Sequence, residues 1–485
     1  MVKLINPNTF FVDSVCDYDR IDSYYYDPNY FKLIHKLQTA SGSSGFRLLQ
    51  LKQLLKEHVK GSLTGGATPL GAAYLSEGVP FIRVQNVRET GIDLSDVVYI
   101  SRRIHEGDLK RSQLAPKNVL LTITGYTYGI AATVPVSLTE ANINQHVVKI
   151  VINEDMVIPK YLSMYLNSEY GKKQMDREVT GGTRPALDYD SIRGLQILLP
   201  DDILIQARIV NECEKICHDA ELKLKEISKL ESSCDTIVLD GLEIELPEEP
   251  KLKIFSSQIE GQDRLDVNWF YPYINKVMKI LKDNNGHKLG NYNHTLKYGA
   301  SIDADYNSDT SFLRIENLDK NFIDISDVQY ISSSVYKDLI PKFGLKEGDI
   351  LIARSGSVGL CSHISHLYEN YTYGSYMIRL RLNDKRLGPR YLSAYLNSIL
   401  GRVQFDKLKT GSSQYNINTQ HIRNIFVVEP NIDTQEDISH RVFDNIEQII
   451  KLRKDYKELL IKSKCRFIEL LNSEVDHNVK SSKQS

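Results

Sequence analysis

The chain repeats itself, and no other feature restricts its fold so strongly. Residues 80–101 read PFIRVQNVRETGIDLSDVVYIS and residues 311–332 read SFLRIENLDKNFIDISDVQYIS. At a constant offset of 231 they share 11 of 22 positions, including Arg83/Arg314, Asn86/Asn317, Asp93/Asp324, Asp96/Asp327 and Tyr99/Tyr330. A second block repeats at offset 230, PKYLSMYLNS at 159–168 against PRYLSAYLNS at 389–398. Its register holds through Gly171/Gly401, Gln174/Gln404, Asp176/Asp406, Thr180/Thr410, Gly181/Gly411 and Pro200/Pro430. The one-residue change of offset falls in a glycine loop, Gly125-Tyr126-Thr127-Tyr128-Gly129 against Gly356-Ser357-Val358-Gly359. An opening motif repeats as well, Asp19-Arg20-Ile21-Asp22 and Asp263-Arg264-Leu265-Asp266. Solenoid repeats run about 20–50 residues. This period has the size of a domain, so the chain reads as two copies of one domain, each followed by a helical segment.

Within a copy the hydrophobic pattern changes period several times. A short helix is expected at 30–37 and 273–281. Strands are expected at 80–84, 97–100, 119–123 and 146–152, with counterparts at 350–352 and 376–382 in the second copy. Segments 160–175 and 390–405 read as helices, with Tyr161, Leu162, Tyr165 and Leu166 at helical spacing. Each leads into a Thr-Gly loop and a last strand, 195–199 or 425–428, stopped by proline. After each copy the period becomes that of a coiled coil. Val210, Cys213, Cys217, Ala220, Leu224 and Ile227 step by 3, 4, 3, 4, 3. A similar stripe runs through Ile438, Val442, Ile446, Ile449, Leu452, Tyr456, Leu459 and Leu470. Two such seams in one chain most simply pack on each other. At 1.5 Å per residue the first helix spans about 45 Å and the second about 60 Å.

Composition narrows the class. Lys plus Arg is 60 and Asp plus Glu is 62 in 485 residues, a formal charge of −2. That balance excludes a uniformly basic nucleic-acid coat protein and a polyacidic tail protein. It hides an uneven distribution. Residues 201–250 hold 5 basic and 14 acidic side chains, whereas 20–200 hold 21 and 17, and 264–430 hold 21 and 16. Both repeated domains are mildly basic and the acid lies in the central helix and the segment after it. Six cysteines form no C-x-x-C pair, which points to reduced thiols in a cytoplasm. Met1–Pro7 lacks a signal-peptide apolar run, and no stretch approaches 18 uninterrupted apolar residues, so no membrane association is expected.

Catalytic and metal motifs are missing. There is no phosphate loop G-x-x-x-x-G-K-[ST], no G-x-G-x-x-G after a strand and no His-Glu-x-x-His. The Asn-Pro-Pro-aromatic stretch by which amino-methyltransferases hold their target amine is also lacking. Cys213, Cys217 and His218 lie close on one helix, but both cysteines fit the apolar seam and further ligands are wanting, so core packing is favoured over a metal. Glu221-Leu222-Lys223 superficially resembles part of a nuclease motif, yet it sits on a heptad helix and reads as a solvated face. No cofactor, metal or catalytic residue is expected. A fused methyltransferase or nuclease and a DNA-free repeat scaffold are the rival classes. Methylation by the chain alone would favour the first, and indifference to DNA sequence the second.

From about residue 20 to 472 the chain resembles the DNA-sequence specificity subunit of type I restriction–modification systems. The resemblance rests on Asp-Arg-[Ile/Leu]-Asp, Phe-[Ile/Leu]-Arg-[Val/Ile]-x-Asn, [Val/Ile]-Leu-[Leu/Ile] before the glycine loop, Tyr-Leu-x-x-Tyr-Leu-Asn-Ser, Thr-Gly-[Gly/Ser]-[Thr/Ser], and the helix starts Pro200…Gln206-x-x-Ile209 and Pro430…Gln435-x-x-Ile438. Their fixed order, twice over, is the signal. It implies an α+β protein with a pseudo-twofold internal repeat: two tandem α/β target recognition domains separated by an antiparallel two-helix coiled-coil spacer. The expected boundaries are 1–200 and 263–430 for the recognition domains, 201–232 and 431–472 for the spacer helices, 233–262 for a linker and 473–485 for a flexible tail. The resemblance also implies a non-catalytic subunit that reads a bipartite site in double-stranded DNA. Its helical spacer docks two methyltransferase (modification) subunits, and restriction/translocase subunits join that complex. A specificity subunit of a related non-type-I modification or phage-defence complex is the alternative. Half-sites one helical turn apart are about 34 Å apart, within the reach of a 45 Å helix pair.

Base readout needs donors and acceptors on loops that enter a groove. In the first copy the glycine loop offers Thr124, Tyr126, Thr127 and Tyr128, and the Thr-Gly loop offers Thr183 and Arg184. In the second copy the corresponding candidates are Arg354, Ser355 and Ser357, and Ser413, Gln414 and Tyr415. Arg83 and Arg314 are matched between copies, so a structural ion pair with Asp93 or Asp96 and their repeats stands beside a DNA contact. Residues that read different half-sites should differ between copies, and scaffold residues should match. By that logic Tyr-Leu-Asn-Ser is helix packing and its cap, and the opening Asp-Arg pairs are structural. KGSLTGGATP at 60–69 matches KYGAS at 297–301 only loosely, so the two domains are expected to read different half-sites.

Overall fold

The computed structural model describes residues 2–6, 9–12, 25–42, 45–57, 59, 61–69, 74–125, 127–181, 185–250, 255–256, 264, 266–302, 310–411 and 414–482. The chain forms two units, Met1–Leu224 with Lys454–Ser485, and Lys225–Arg453.

The first unit begins with a hairpin of β1 (Val2–Asn6) and β2 (Thr9–Val12). Helix α1 (Pro28–Ser41) starts where the Asp27 side chain accepts from Asn29 N, with Pro28 at its first position. Then come β3 (Phe46–Gln50), α2 (Leu51–Leu54), β4 (Leu63–Gly65), β5 (Val79–Ile82), β6 (Val98–Ile100), α3 (Arg102–Glu106) and β7 (Val119–Thr122). They are followed by β8 (Ala131–Thr133), β9 (Asn142–Ile143), β10 (Val147–Ile150), α4 (Pro159–Asn167), α5 (Glu169–Glu178), α6 (Tyr189–Gly194) and β11 (Gln196–Pro200). Strands β4-β10-β7-β8 make an antiparallel sheet, β6-β5-β9 a second sheet in which β5 and β9 are parallel, and β11 pairs with β3. Strand β7 is buried along its whole length because it serves two cores. Val119 and Leu121 face the tyrosines of α4, and Leu120 faces Ile82, Ile143 and Val147.

The second unit repeats this order. It holds α8 (Val267–Phe270), α9 (Pro272–Asp283), β12 (Gly286–Lys288), β13 (His294–Tyr298), β14 (Thr310–Leu313), the small hairpin β15 (Leu318–Asp319) and β16 (Phe322–Ile323), β17 (Gln329–Ile331) and α10 (Ser333–Phe343). After these come β18 (Ile350–Ala353), β19 (Cys361–His363), β20 (Thr372–Tyr373), β21 (Met377–Leu382), α11 (Pro389–Asn397), α12 (Ile399–Leu408), α13 (Thr419–Arg423) and β22 (Phe426–Val428). Sheets β13-β21-β18-β19, β17-β14-β20 and β12-β22 reproduce the three sheets of the first unit, strand for strand. The sequence repeat is therefore a repeat of topology.

Two long helices complete the units. Helix α7 (Ile203–Gly241) begins in the first unit and ends in the second, and α14 (Ile432–Ser482) does the reverse. Within the first unit their segments run antiparallel: Arg208 meets Glu474, and Cys217 Sγ lies 3.4 Å from Ser463 Oγ. Within the second unit they do so again. Arg453 Nη2 donates to Glu231 at 2.9 Å, Asn445 Nδ2 donates to Ser233 Oγ at 2.7 Å, and Gly241 abuts Ile438. The expected seam residues Val210, Cys213, Cys217, Ala220 and Ile227 are buried, as are Ile438, Val442, Ile446, Ile449 and Leu452.

Four helical segments differ from expectation. Helix α7 does not stop at Ser232; Ile237 and Val238 are buried on its continuation, so the apolar stripe persists to Gly241. Helix α14 runs through Ser482 where a tail was expected from residue 473, and its stripe passes through the buried Phe467 and Leu471 with Leu470 half-buried against the same core. The single helices expected at 160–175 and 390–405 are each two, broken at Ser168 and Ser398. The break has a local cause. Asn167 accepts from Ala131 N and donates to Ala131 O, both at 2.8 Å, while Ser168 Oγ donates back to Tyr165 O at 2.6 Å. Asn397 does the same to Cys361, and Ser398 to Tyr395 O. The asparagine thus pairs with the edge of β8 or β19 as a strand would. Gly171 and Gly401 then allow the second helix to pack on Leu166 or Leu396 backbone with no room for a Cβ.

Candidate nucleic-acid interface

Each unit brings its glycine loop and its Thr-Gly loop side by side. In the first, Thr124 bridges Ala186, Gly125 N donates to Pro185 O at 3.0 Å, and Leu187 N donates to Ile123 O at 2.9 Å. In the second, Ser355 bridges Asn416, and Ile417 N donates to Arg354 O at 2.9 Å. The Thr-Gly loops close on themselves through Thr180 with Ala186 and Thr410 with Asn416. Positive φ at Gly125 (78°) and Gly356 (70°) lets the chain turn there without a side-chain clash.

On this shared frame the two units carry different tips. In the first, Thr124 Oγ1 is 2.7 Å from His146 Nδ1, and Gln145 Nε2 is 3.0 Å from His146 Nε2. With the amide donating to Nε2, the neutral ring carries its proton on Nδ1, and Thr124 accepts it. Thr68 bonds Gln145 in turn. Thr127 is exposed at the loop tip. Tyr128 instead ties the loop down: its hydroxyl donates to Asp176 at 2.6 Å and Lys172 lies 3.7 Å from the ring centre. Burial and Asp176 raise the Tyr128 phenol pKa, so it stays a neutral donor.

In the second unit, Gln414 Nε2 donates to Ser355 Oγ at 2.9 Å, and Ser355 is buried beneath the loop whereas Ser357 is exposed. The Arg354 guanidinium lies 5.0 Å from the Tyr298 ring centre, and Lys409 lies 4.5 Å from that of Tyr415. Tyr298, Tyr376 and Tyr415 are all substantially exposed. Tyr126, Thr183, Arg184 and Ser413 lie outside the described residues.

Arg83 and Arg314 make matched contacts within their own units. Each precedes a 3-10 turn whose buried asparagine, Asn86 or Asn317, accepts from the arginine's own N–H and donates to two carbonyls of the following loop. The guanidinium groups meet Asp96 at 3.6 Å and Asp327 at 3.3 Å. The opening motif is structural in the second unit: Arg264 donates to Leu408 O and Lys409 O at the end of α12 and packs on Trp269. Asp19, Arg20 and Asp22 lie outside the described residues. Thr68, Gln145 and His146 in one unit and Tyr298 and Tyr376 in the other lie beside these loops although no motif singles them out. The repeat carries a signal for two of them, since His146 and Tyr376 occupy matched positions and differ. Among the described residues no cluster of His, Cys, Asp or Glu could hold a metal, and no helix is long and apolar enough to cross a membrane.

Residues 302–460 match the family model described as Type I restriction modification DNA specificity domain. No curated protein matches the chain. Among solved structures, the type I restriction-modification S subunit from M. genitalium is 11% identical over 88% of this chain and 96% of that one, with a TM-score of 0.40. A chain from a structure of the assembly and conformational transition of the type I R-M system is 15% identical over 89% and 98%, with a TM-score of 0.38. The HsdS subunit from Thermoanaerobacter tengcongensis is 15% identical over 88% and 97%, with a TM-score of 0.31.

Proposed function

We propose that this chain is a type I restriction–modification DNA specificity subunit and that it reads a bipartite site in double-stranded DNA with one half-site per unit. The family model spans residues 302–460, and the internal repeat extends the same topology to the first unit. The observation that supports the two-part reading is that matched frames carry unmatched side chains: Ile123 and His146 in one unit stand where the other has Arg354 and Tyr376. Direct readout requires donors and acceptors at base edges. Recognition domains at 1–200 and 263–430 do this work. The exposed faces of α7 and α14 dock two modification subunits, which carry the methyl-transfer chemistry, and translocating nuclease subunits join them. The length of the helices sets the gap between half-sites. Selection of bound duplexes from a randomised pool by the co-purified complex tests this. Two enriched blocks at constant separation are expected; one continuous block, or no enrichment, would refute it.

A further inference from the structure

We infer that Arg354 specifies a guanine in the half-site read by the second unit, with Tyr298 as the platform that fixes its guanidinium. This rests on the chain being a DNA specificity subunit. Arg354 is the first residue beyond β18, and its backbone is held on both sides: its N–H donates to Tyr376 O at 3.0 Å and its carbonyl accepts from Ile417 N at 2.9 Å. The guanidinium stands 5.0 Å from the Tyr298 ring centre, and the Tyr298 hydroxyl is itself fixed, accepting from Thr419 N at 3.3 Å. Arg354 Nε is buried without a hydrogen-bond partner, and among the described residues no carboxylate pairs with this side chain. In the same unit Arg381, Arg386, Arg402 and Arg453 meet carboxylates, and Arg390, like Arg354, lies over an aromatic ring. An arginine stacked on an aromatic ring, with no acidic partner, is restrained yet keeps its donors available.

The first unit shows what the same frame looks like without this device. The position matching Arg354 is Ile123, 8% exposed. The position matching Tyr298 in strand register is Gly65, since Gly65 pairs with Val148 as Tyr298 pairs with Ile378. A Cβ on Gly65 would collide with the Tyr189 hydroxyl. The arginine and its platform, on two different strands, are thus both present in one unit and both absent from the other. A scaffold pair would be shared; a reading pair should differ. Guanine is the base that offers two acceptors, O6 and N7, on its major-groove edge, and the arginine fork fits both.

The test uses the whole chain co-expressed with its modification subunits. Genome-wide methylation mapping of Arg354→Ala should show one G·C pair of one half-site becoming unspecified while the other half-site stays intact. Duplexes with 7-deazaguanine at that position should bind the wild-type complex about tenfold more weakly, and the Arg354→Ala complex no more weakly than unmodified duplex. Tyr298→Ala should relax the same position, and Tyr298→Phe should leave it specified. Unchanged half-sites in Arg354→Ala, relaxation at an A·T pair, or loss of all methylation in both Arg354→Ala and Arg354→Lys would overturn the assignment. A wild-type complex with no sequence preference would overturn the specificity reading itself.

Discussion

Asn317 is 1% exposed, yet its amide oxygen accepts from Arg314 N at 2.8 Å and its amide nitrogen donates to Asp324 O and Asp327 O at 2.9 and 3.0 Å. Replacing it by alanine removes three hydrogen bonds made by a buried amide. Asn317→Ala is therefore expected to destabilise the second unit by about 2–3 kcal/mol, read as a lowered urea midpoint. An unchanged midpoint would show that the turn does not depend on its amide. The repeat had already marked Asn86 and Asn317 as shared, but not what they do, because a buried amide bridging a turn leaves no periodic trace. The cysteines make a second residue-scale case. Burial pushes the Cys213 thiol up to about 12 and raises Cys217 and Cys361 as well. Alkylation requires the thiolate, whose fraction falls as the thiol pKa rises above the ambient pH. At pH 8 iodoacetamide should label the exposed Cys465 and spare Cys213, Cys217 and Cys361, as peptide mass spectrometry would show. Rapid labelling of Cys213 would contradict its place in the helix seam.

At the scale of elements, one glutamine joins each long helix to its domain. Gln206 accepts from Ile158 N and donates to Met156 O and Pro200 O at 3.0, 3.1 and 3.2 Å. Gln435 accepts from Gly388 N and donates to Arg386 O and Pro430 O at 2.9, 2.8 and 3.0 Å. Both are buried. Gln435→Leu keeps the volume and removes the bonds, so the Gly388 amide should lose hydrogen-exchange protection and the unit about 2 kcal/mol of stability. Full protection at Gly388 in that variant would place the join elsewhere. Most elements were legible in the sequence because their periods are: β7 and β18 as apolar runs, α7 and α14 as heptads. The break at Ser168 was not, because Tyr165, Leu166 and Tyr170 keep helical spacing across it. Only the reach of Asn167 to Ala131 reveals it. The end of α7 is masked in the sequence for a related reason. Ser232, Ser233 and Cys234 dilute the stripe, yet Ile237 and Val238 resume it. At the candidate interface, the loops were legible as differences between copies. Tyr298 and His146 were not, because each meets its loop neighbour, Arg354 or Thr124, only through the fold.

For the molecule as a whole, the distribution of charge matters more than its sum. Both repeated regions are mildly basic, and residues 201–250 carry a charge of −9. Few phosphates are neutralised by so small an excess, so the chain alone is expected to bind its site far more weakly than the complex does, and with a shallower salt dependence. Equal affinity with and without modification subunits would contradict this. No glycine or proline interrupts α7 between residues 203 and 240. Four residues inserted within Glu221–Lys229 add about 6 Å of helix and should change the unspecified gap in the target; an unaltered gap would end the idea that the helices measure it. The most direct measurement of the central claim is methylome mapping in a host that expresses the chain with its modification subunit. The expected result is one modified motif made of two specified blocks at a fixed separation, dependent on both proteins. A continuous motif, or the same modification without this chain, would contradict it.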